Sequence, residues 1–583
     1  MRTSLRTALV ALGTTSALVL AACAGSTSGG PTSGGRSTTD LGTSSGIHNP
    51  SNVRGGTLRY ANSSDWDSLD PANTYYVWSW NFLRYYGRAL VMFKPAPGAQ
   101  GATLVPDLAE SLGRPSDDAK TWTYTLRSGL KFEDGTPVTS KDVKYAVERY
   151  LDKATFPNGP TYFNDFLDLQ GYTSPYTDPD PNRLGLKAID TPDDRTIIFR
   201  LRKPFSEFDF LAQTPATVPV PRAKDTGPTY HEHVISTGPY MFATIEPNKR
   251  VTMVRNPQWD PVTDPNRQPL PDRITVDLNV SRDDIDNRLI SGEFDVSTGG
   301  GVAPAAQARI LADLDLRANT DSPRNASLSY AALNPDVAPL DNVHCRKAVL
   351  YAADRAAYQR AFGGATGGEI ATNLLPPVIP GAQPFDLYPS PHHHGDITKA
   401  RDELAQCGQP AGFSTGIAYR DQEPADKAAV EALQQSLARV GIRLEIKPFH
   451  RADYLQHVGK PDFAKSNELG LILYGWAPDW PDGYAFLAQL VDSRVIRATG
   501  NTNLGIKEPD IDQMLDQGLA TTDIPAREQI WVSIDRKVMD DAFILPCLWG
   551  KGLHYRPPNL TNAFITDGFQ MYDYVALGTT RKN

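Results

Sequence analysis

A chain of 583 residues is too long for one compact core, so two or more domains must share its buried interior. The formal net charge of -9, with Lys/Arg and Asp/Glu mixed throughout, describes a mildly acidic globular protein and argues against a nucleic-acid binder. After the first two dozen residues no apolar run approaches the roughly 20 residues that cross a bilayer, so the body is expected to be aqueous.

The chain opens on a cationic start (Arg2, Arg6) followed by an apolar stretch from Ala8 to Ala22, interrupted by Gly13, Thr14 and Thr15. This is the design of a signal peptide. It ends in Leu20-Ala21-Ala22-Cys23, which closely resembles the bacterial lipobox, so residues 1–23 are expected to direct export and lipidation of Cys23. Two or more acyl chains, at about 0.8 kcal/mol per buried CH₂, hold a protein on a membrane where one does not. Residues 24–54 are rich in Gly, Ser, Thr and Pro with almost nothing to bury, and are expected to form a disordered tether.

From Gly56 the pattern is mixed α/β. Thr57 to Ala61 alternates like a strand, and Thr121 to Leu126 with Lys131-Phe132 predicts two short strands around Ser128-Gly129. Thr139-Ser140-Lys141-Asp142 has the form of a capping box, with Val143, Ala146, Val147 and Tyr150 at helical spacing behind it. Farther on, Phe413 to Tyr419 is strand-like, Ala425 to Val440 carries Val430, Leu433, Leu437 and Val440 on one face, and Ile442, Leu444 and Ile446 alternate. That strand-helix-strand order predicts a parallel pair with a right-handed crossover.

Catalytic and metal motifs fail on context. Gly412-Phe413-Ser414-Thr415-Gly416 fits G-x-S-x-G, but a nucleophile elbow needs strand, turn and then helix, and here a helix precedes and a strand follows. Gly363 to Gly368 lacks the Lys-Ser/Thr of a phosphate loop, and His231-Glu232-His233 lacks the paired spacing of a zinc protease. Asp178 to Asn182 lacks the Gly and terminal Glu of a calcium loop, and His392-His393-His394 is read as exposed loop histidine. No cofactor or metal is expected. Two aromatic clusters stand out instead: Tyr75-Tyr76-Val77-Trp78-Ser79-Trp80, and Tyr474-Gly475-Trp476-Ala477-Pro478-Asp479-Trp480-Pro481-Asp482. Aromatic walls with a few fixed polar groups are what a ligand cleft requires, and Pro478 and Pro481 bracket Asp479 in a loop.

At these residues the chain resembles family 5 of the bacterial extracellular solute-binding proteins, which serve ABC importers of oligopeptides, dipeptides, nickel and some sugars. The resemblance runs from about Gly56 to the C-terminus. It is carried by Pro106-Asp107-Leu108-Ala109-Glu110-Ser111, Tyr124 to Thr139 with Asp142-Val143, Ser236-Thr237-Gly238-Pro239-Tyr240, Arg255-Asn256-Pro257, Gly292-Glu293-Phe294-Asp295, and Arg346 to Val349 with Ala353-Asp354-Arg355. It implies an α/β, two-lobed periplasmic-binding-protein type II fold with an extra subdomain on the first lobe. Carried over, residues 55–87, 235–325 and 550–583 form lobe I, 88–234 the extra subdomain, and 326–549 lobe II.

In peptide-binding members the Asp of a Gly-Trp-x-x-Asp pattern pairs with the peptide α-ammonium. Here that pattern is Gly475-Trp476-Ala477-Pro478-Asp479, so the resemblance implies that Asp479 meets the ligand charge. A carboxylate enclosed by aromatics is costly until a cation pairs with it, which selects amines. Tyr75 and Val77 fall where the first lobe would bond an extended peptide in strand-like fashion, Gly475 would permit close backbone approach, and Trp78, Trp476 and Trp480 would complete the walls. Pro478, Trp480 and Gly483 depart from residues common in the family, which leaves the pocket shape open. With Cys23 lipidated, Cys345 and Cys407 on helices of one lobe are the expected disulfide, at most one pair being possible with Cys547.

The expected protein is therefore not an enzyme. It is a monomeric binding protein, held outside the cell membrane by lipid alone and delivering an oligopeptide to ABC permease subunits, with no nucleic-acid partner. Alternatives are an oligosaccharide binder, with Trp78, Trp80, Trp476 and Trp480 stacking on pyranose faces, and a surface ligand sensor. A secreted hydrolase is a third, but the pair Asp479 and Asp482 has no identifiable partner for a reaction.

Overall fold

The computed structural model describes residues 46–158, 160–298, 301–450, 454–498 and 500–581; the expected signal segment, Cys23 and most of the expected tether lie outside them. The first sheet has five strands in the order Val296–Ser297, Thr57–Ala61, Arg273–Asp277, Arg250–Arg255, Tyr240–Glu246. Thr57–Ala61 runs parallel to both of its neighbours, with Leu58 opposite Ile274 and Tyr60 opposite Val276. All four of these side chains are fully buried, the reason this short alternating segment forms a strand rather than a loop.

The chain between the first strand of this sheet and its return at Tyr240 builds a smaller antiparallel sheet, ordered Arg114–Ser116, Thr121–Thr125, Thr196–Arg200, Ile189–Asp190. Helix Ser140–Leu151 packs beside it. Its capping box is formed: the Asp142 carboxylate accepts from the Thr139 amide at 2.8 Å. The expected strand at Lys131-Phe132 is not present. Phe132 to Thr136 closes into a tight turn, Lys131 makes only an isolated bridge to Pro137, and Thr121–Thr125 pairs instead with segments on either side in sequence. Pro137 has no amide hydrogen with which to extend a ladder.

The motif around Asp107 has a structural cause. Its carboxylate is fully buried and accepts from Arg88 Nε at 2.8 Å and from both terminal nitrogens of Arg267 at 2.8 and 2.7 Å. Arg267 also pairs with Asp264 at 3.0 Å. Satisfied on every side, this network joins the insertion to the first sheet.

The second large sheet has six strands in the order Gly368–Ile370, Ile544–Lys551, Arg324–Leu333, Leu469–Trp476, Ser414–Arg420, Arg443–Phe449. Ser414–Arg420 and Arg443–Phe449 are parallel and joined by helix Pro424–Ala438, whose Val430, Leu433 and Leu437 are buried. Cys345 and Cys407 are bonded with their Cα atoms 5.3 Å apart, and Cys547 is a buried free thiol. Ser414 begins a strand and is exposed, so the G-x-S-x-G string forms no elbow.

The chain passes between the two large sheets at two places, and the passages lie side by side. Thr320–Asp321 pairs antiparallel with His554–Tyr555, and Arg556 Nη1 holds Asp321 at 2.6 Å. The N-terminal end of the described chain is stitched nearby. His48 and Ala563 exchange backbone hydrogen bonds at 2.8 and 3.1 Å, Asn49 donates to the Leu560 carbonyl at 3.0 Å, and the Ser51 amide donates to Asn562 Oδ1 at 2.8 Å.

Candidate ligand site

The site begins with Asp67, which sequence reasoning did not single out. Its carboxylate accepts from Ser79 Oγ at 2.7 Å, from the Tyr76 amide at 3.1 Å, from Thr74 Oγ1 at 3.2 Å, and from the Tyr75 amide. One acidic side chain thereby fixes the entry to helix Val77–Leu83. Tyr75, Tyr76 and Val77 are left exposed at 40%, 51% and 47%. The Tyr76 ring stacks on Trp78 with centroids 5.7 Å apart, and Trp78 leans on Trp66 at 4.8 Å. The strand-like pairing expected at Tyr75 and Val77 is not prepared in this state: the Tyr75 amide is committed to Asp67, and Val77 is already helical.

The opposing wall comes from the end of strand Leu469–Trp476. Gly475 is exposed, and a Cβ added there would meet open space. Trp476 is partly buried, its indole nitrogen donating to the Phe486 carbonyl at 2.9 Å. Trp480 is 1% exposed and packs edge-on to Tyr162 at 4.8 Å and stacked with Phe210 at 6.2 Å. The ring expected among the ligand walls is buried in this packing. The insertion supplies Tyr162, Phe205 and Phe210 around it, and local sequence gives no hint of that cover.

Asp479 stands between these walls. Its Oδ1 accepts from the Tyr75 hydroxyl at 2.7 Å, and its Oδ2 accepts from the Tyr162 hydroxyl, a residue of the insertion that the sequence reading missed. Burial pushes the Asp479 carboxyl above its ordinary range, and the two tyrosine hydrogen bonds pull it part of the way back. Burial, and then the Asp479 charge, pushes both tyrosines up, so they stay neutral and donate. Among the described residues no Lys, Arg or His lies within ion-pair distance of Asp479. The site thus holds a carboxylate with hydrogen-bond donors and without a counter-charge.

Asp482 does not join it. This side chain caps helix Gly483–Val491, accepting from the Tyr484 amide at 2.7 Å, and is buried beside Glu207. Asp479 and Asp482 therefore serve separate surroundings. Among the described residues no cluster of His, Cys, Asp or Glu is grouped to hold a metal, and His394 is engaged with Asp354 at 3.0 Å.

Residues 103–497 match the family described as "Bacterial extracellular solute-binding proteins, family 5 Middle". The chain is 26% identical over 487 residues to the probable D,D-dipeptide-binding periplasmic protein DdpA of Escherichia coli (strain K12), covering 82% of this chain and 86% of that one. It is 28% identical over 463 residues to heme-binding protein A of Haemophilus influenzae, covering 76% and 77%. The solved structure of clavulanic acid biosynthesis oligopeptide binding protein 2 superposes with a TM-score of 0.87 at 43% identity, covering 92% of this chain and 98% of that one. The fold is the α/β type II periplasmic-binding-protein architecture. With this family match over more than half its length, the chain belongs to family 5 of the bacterial extracellular solute-binding proteins, a family of binding proteins and not of enzymes.

Proposed function

We propose that this protein captures an oligopeptide through its free α-ammonium group and delivers it to the permease of an ABC importer. The observation that carries this reading is the Asp479 carboxylate, ringed by Tyr75 and Tyr162 hydroxyls and lacking a cation. An ammonium group brings the missing charge and can replace or share the tyrosine hydrogen bonds, whereas a neutral ligand leaves the carboxylate uncompensated. A dipeptide binder and an oligopeptide binder among similar proteins support the ligand class.

In this reading residues 55–87, 235–325 and 550–583 form one lobe with the insertion 88–234 upon it, and 326–549 form the other. The ribbon of Thr320–Asp321 and His554–Tyr555 serves as the hinge. Closure gains contacts with ligand that the open form lacks, which shifts the population. Cleavage before Cys23 and lipidation there would tether a monomer to the outer face of the cell membrane. The stacked Tyr76 and Trp78 rings favour a second reading, an oligosaccharide laid on that ledge.

The test is thermal stabilisation by peptides of two to eight residues, their N-acetylated forms, and oligosaccharides. Ligand at 100 times its Kd adds about 2.7 kcal/mol of stability. Stabilisation by free peptides that disappears on N-acetylation and in Asp479→Ala supports the ammonium reading. Equal stabilisation by free and acetylated peptides, or by sugars alone, rejects it.

A further inference from the structure

A cavity of about 770 Å³ is bordered by Tyr162 and Trp480, between the insertion and the segment that follows strand Leu469–Trp476. Its charges are unevenly matched. Arg494 is neutralised by Asp492 at 2.8 Å and Asp516 at 2.7 Å. Arg202 and Lys203 on the insertion side and Arg497 on the opposite side line the same cavity, are all exposed, and have no carboxylate within ion-pair distance among the described residues. Lys203 lies over the Phe166 ring at 4.7 Å. Burial of part of its side chain, and then the nearby Arg494 and Arg202 charges, hold the Lys203 ammonium below the usual range. Asp165 also lines the cavity but is engaged by Thr161 Oγ1 at 2.9 Å.

We propose that this cleft is an anion subsite, in which Arg202 and Lys203 from one wall and Arg497 from the other receive a carboxylate or phosphate group of a small molecule. Guanidinium groups present paired donors that fit an oxyanion, and the neutralised Arg494 beside them supplies a fixed frame. An anion held between the walls touches both only when they are close, so it favours the closed arrangement. The subsite does not depend on the role given to Asp479. Its anion comes either free from solution or as the acidic end of the captured ligand.

Isothermal titration of the full chain with citrate and with inorganic phosphate, at ionic strength matched by sodium chloride, tests the free source. Peptide pairs with free and amidated C-termini test the other. Binding of citrate or phosphate that weakens about tenfold or more in both Arg202→Gln/Lys203→Gln and Arg497→Gln supports a free-anion site. A preference of about tenfold for free over amidated peptides that vanishes in the same variants assigns the site to the ligand's own carboxylate. Arg497→Lys, which keeps the charge, should retain most of the affinity and separates loss of charge from loss of fold. No heat up to about 10 mM anion together with no free-versus-amide difference, or binding unchanged in the Gln variants, overturns the proposal. If Asp479→Ala abolishes the acetylation effect but leaves anion binding intact, the ammonium site and this one are independent.

Discussion

Tyr75 and Asp479, 404 positions apart in the chain, meet at 2.7 Å, the tyrosine hydroxyl donating to the carboxylate across the gap between the first aromatic cluster and the loop after strand Leu469–Trp476. With Tyr162 on the second oxygen, both hydroxyls are held by the residue proposed to pair with the ligand. Tyr75→Phe and Tyr162→Phe each remove one hydrogen bond to a charged group, worth about 1.5–3 kcal/mol. Each variant should shift ligand-free molecules toward a more open form, read as a larger radius of gyration in small-angle scattering. The radius with saturating ligand should stay that of the parent.

Asp479 should give ligand binding a definite pH dependence. Burial raises its folded-state pKa, so the folded protein holds the proton to higher pH than the unfolded chain does. The sign follows directly: its contribution to ligand-free stability is full below the unfolded pKa and is lost as pH rises through the raised folded value. Over that same interval the carboxylate forms, and affinity for an ammonium ligand should increase. Asp479→Asn should flatten the affinity profile while leaving the ligand-free melting temperature at neutral pH no lower than the parent's. Calorimetry across the acid range checks both.

Trp480→Ala should act on folding before it acts on binding. The ring is packed against Tyr162, Phe205 and Phe210, and truncating a buried aromatic costs about 3–5 kcal/mol. A large drop in urea midpoint is expected. A variant with parental stability and weak ligand affinity would instead make Trp480 a ligand wall.

The Arg149 guanidinium is buried between Asp70, at 2.8 and 3.0 Å, and Asp225, at 3.1 Å, with the Phe156 and Tyr230 rings against it. Arg149→Leu strands two buried carboxylates and should destabilise the protein by about 3–5 kcal/mol. Adding Asp70→Asn should recover part of that loss in equilibrium unfolding, because one of the orphaned charges is gone.

Breaking the Cys345–Cys407 bond, which spans 62 positions, frees that loop in the unfolded state. The chain-entropy account sets the loss at about 4 kcal/mol. Cys345→Ser/Cys407→Ser should therefore lower the denaturation midpoint. The buried Cys547 thiol, pushed up to about 12 by burial, should stay unreactive to thiol reagents until the protein unfolds.

What the sequence disclosed was whatever repeats at short range. The segment from Phe413 to Phe449 was legible because its strand and helix periods are strong and Gly441 separates them. Thr139 and Asp142 announced their capping box for the same reason. Lys131-Phe132 misled because two apolar-alternating residues cannot reveal that their neighbour Pro137 closes a turn. Tyr162 and Asp67 stayed hidden, although both act on the site, since their partners lie 317 and 7 to 12 positions away and only the folded chain brings them together. Trp480 was visible but its burial was not, because the rings packed on it, Tyr162, Phe205 and Phe210, come from the insertion.

The stitching of residues 48–51 onto the strands near Leu560 and Ala563 determines how a pull on the N-terminus is borne. Leu560 and Ala563 belong to the core of the five-stranded sheet and its insertion, so load arriving from upstream enters that half as a fixed frame. The six-stranded sheet joins that part of the chain through the ribbon at Thr320–Asp321 and His554–Tyr555 and through side-chain contacts such as Arg527 with Glu207 at 3.0 Å. In the two-lobe reading proposed above, a molecule held by its leading end is held through the lobe of the five-stranded sheet, so that anchorage and closure on a ligand act on different parts of the chain.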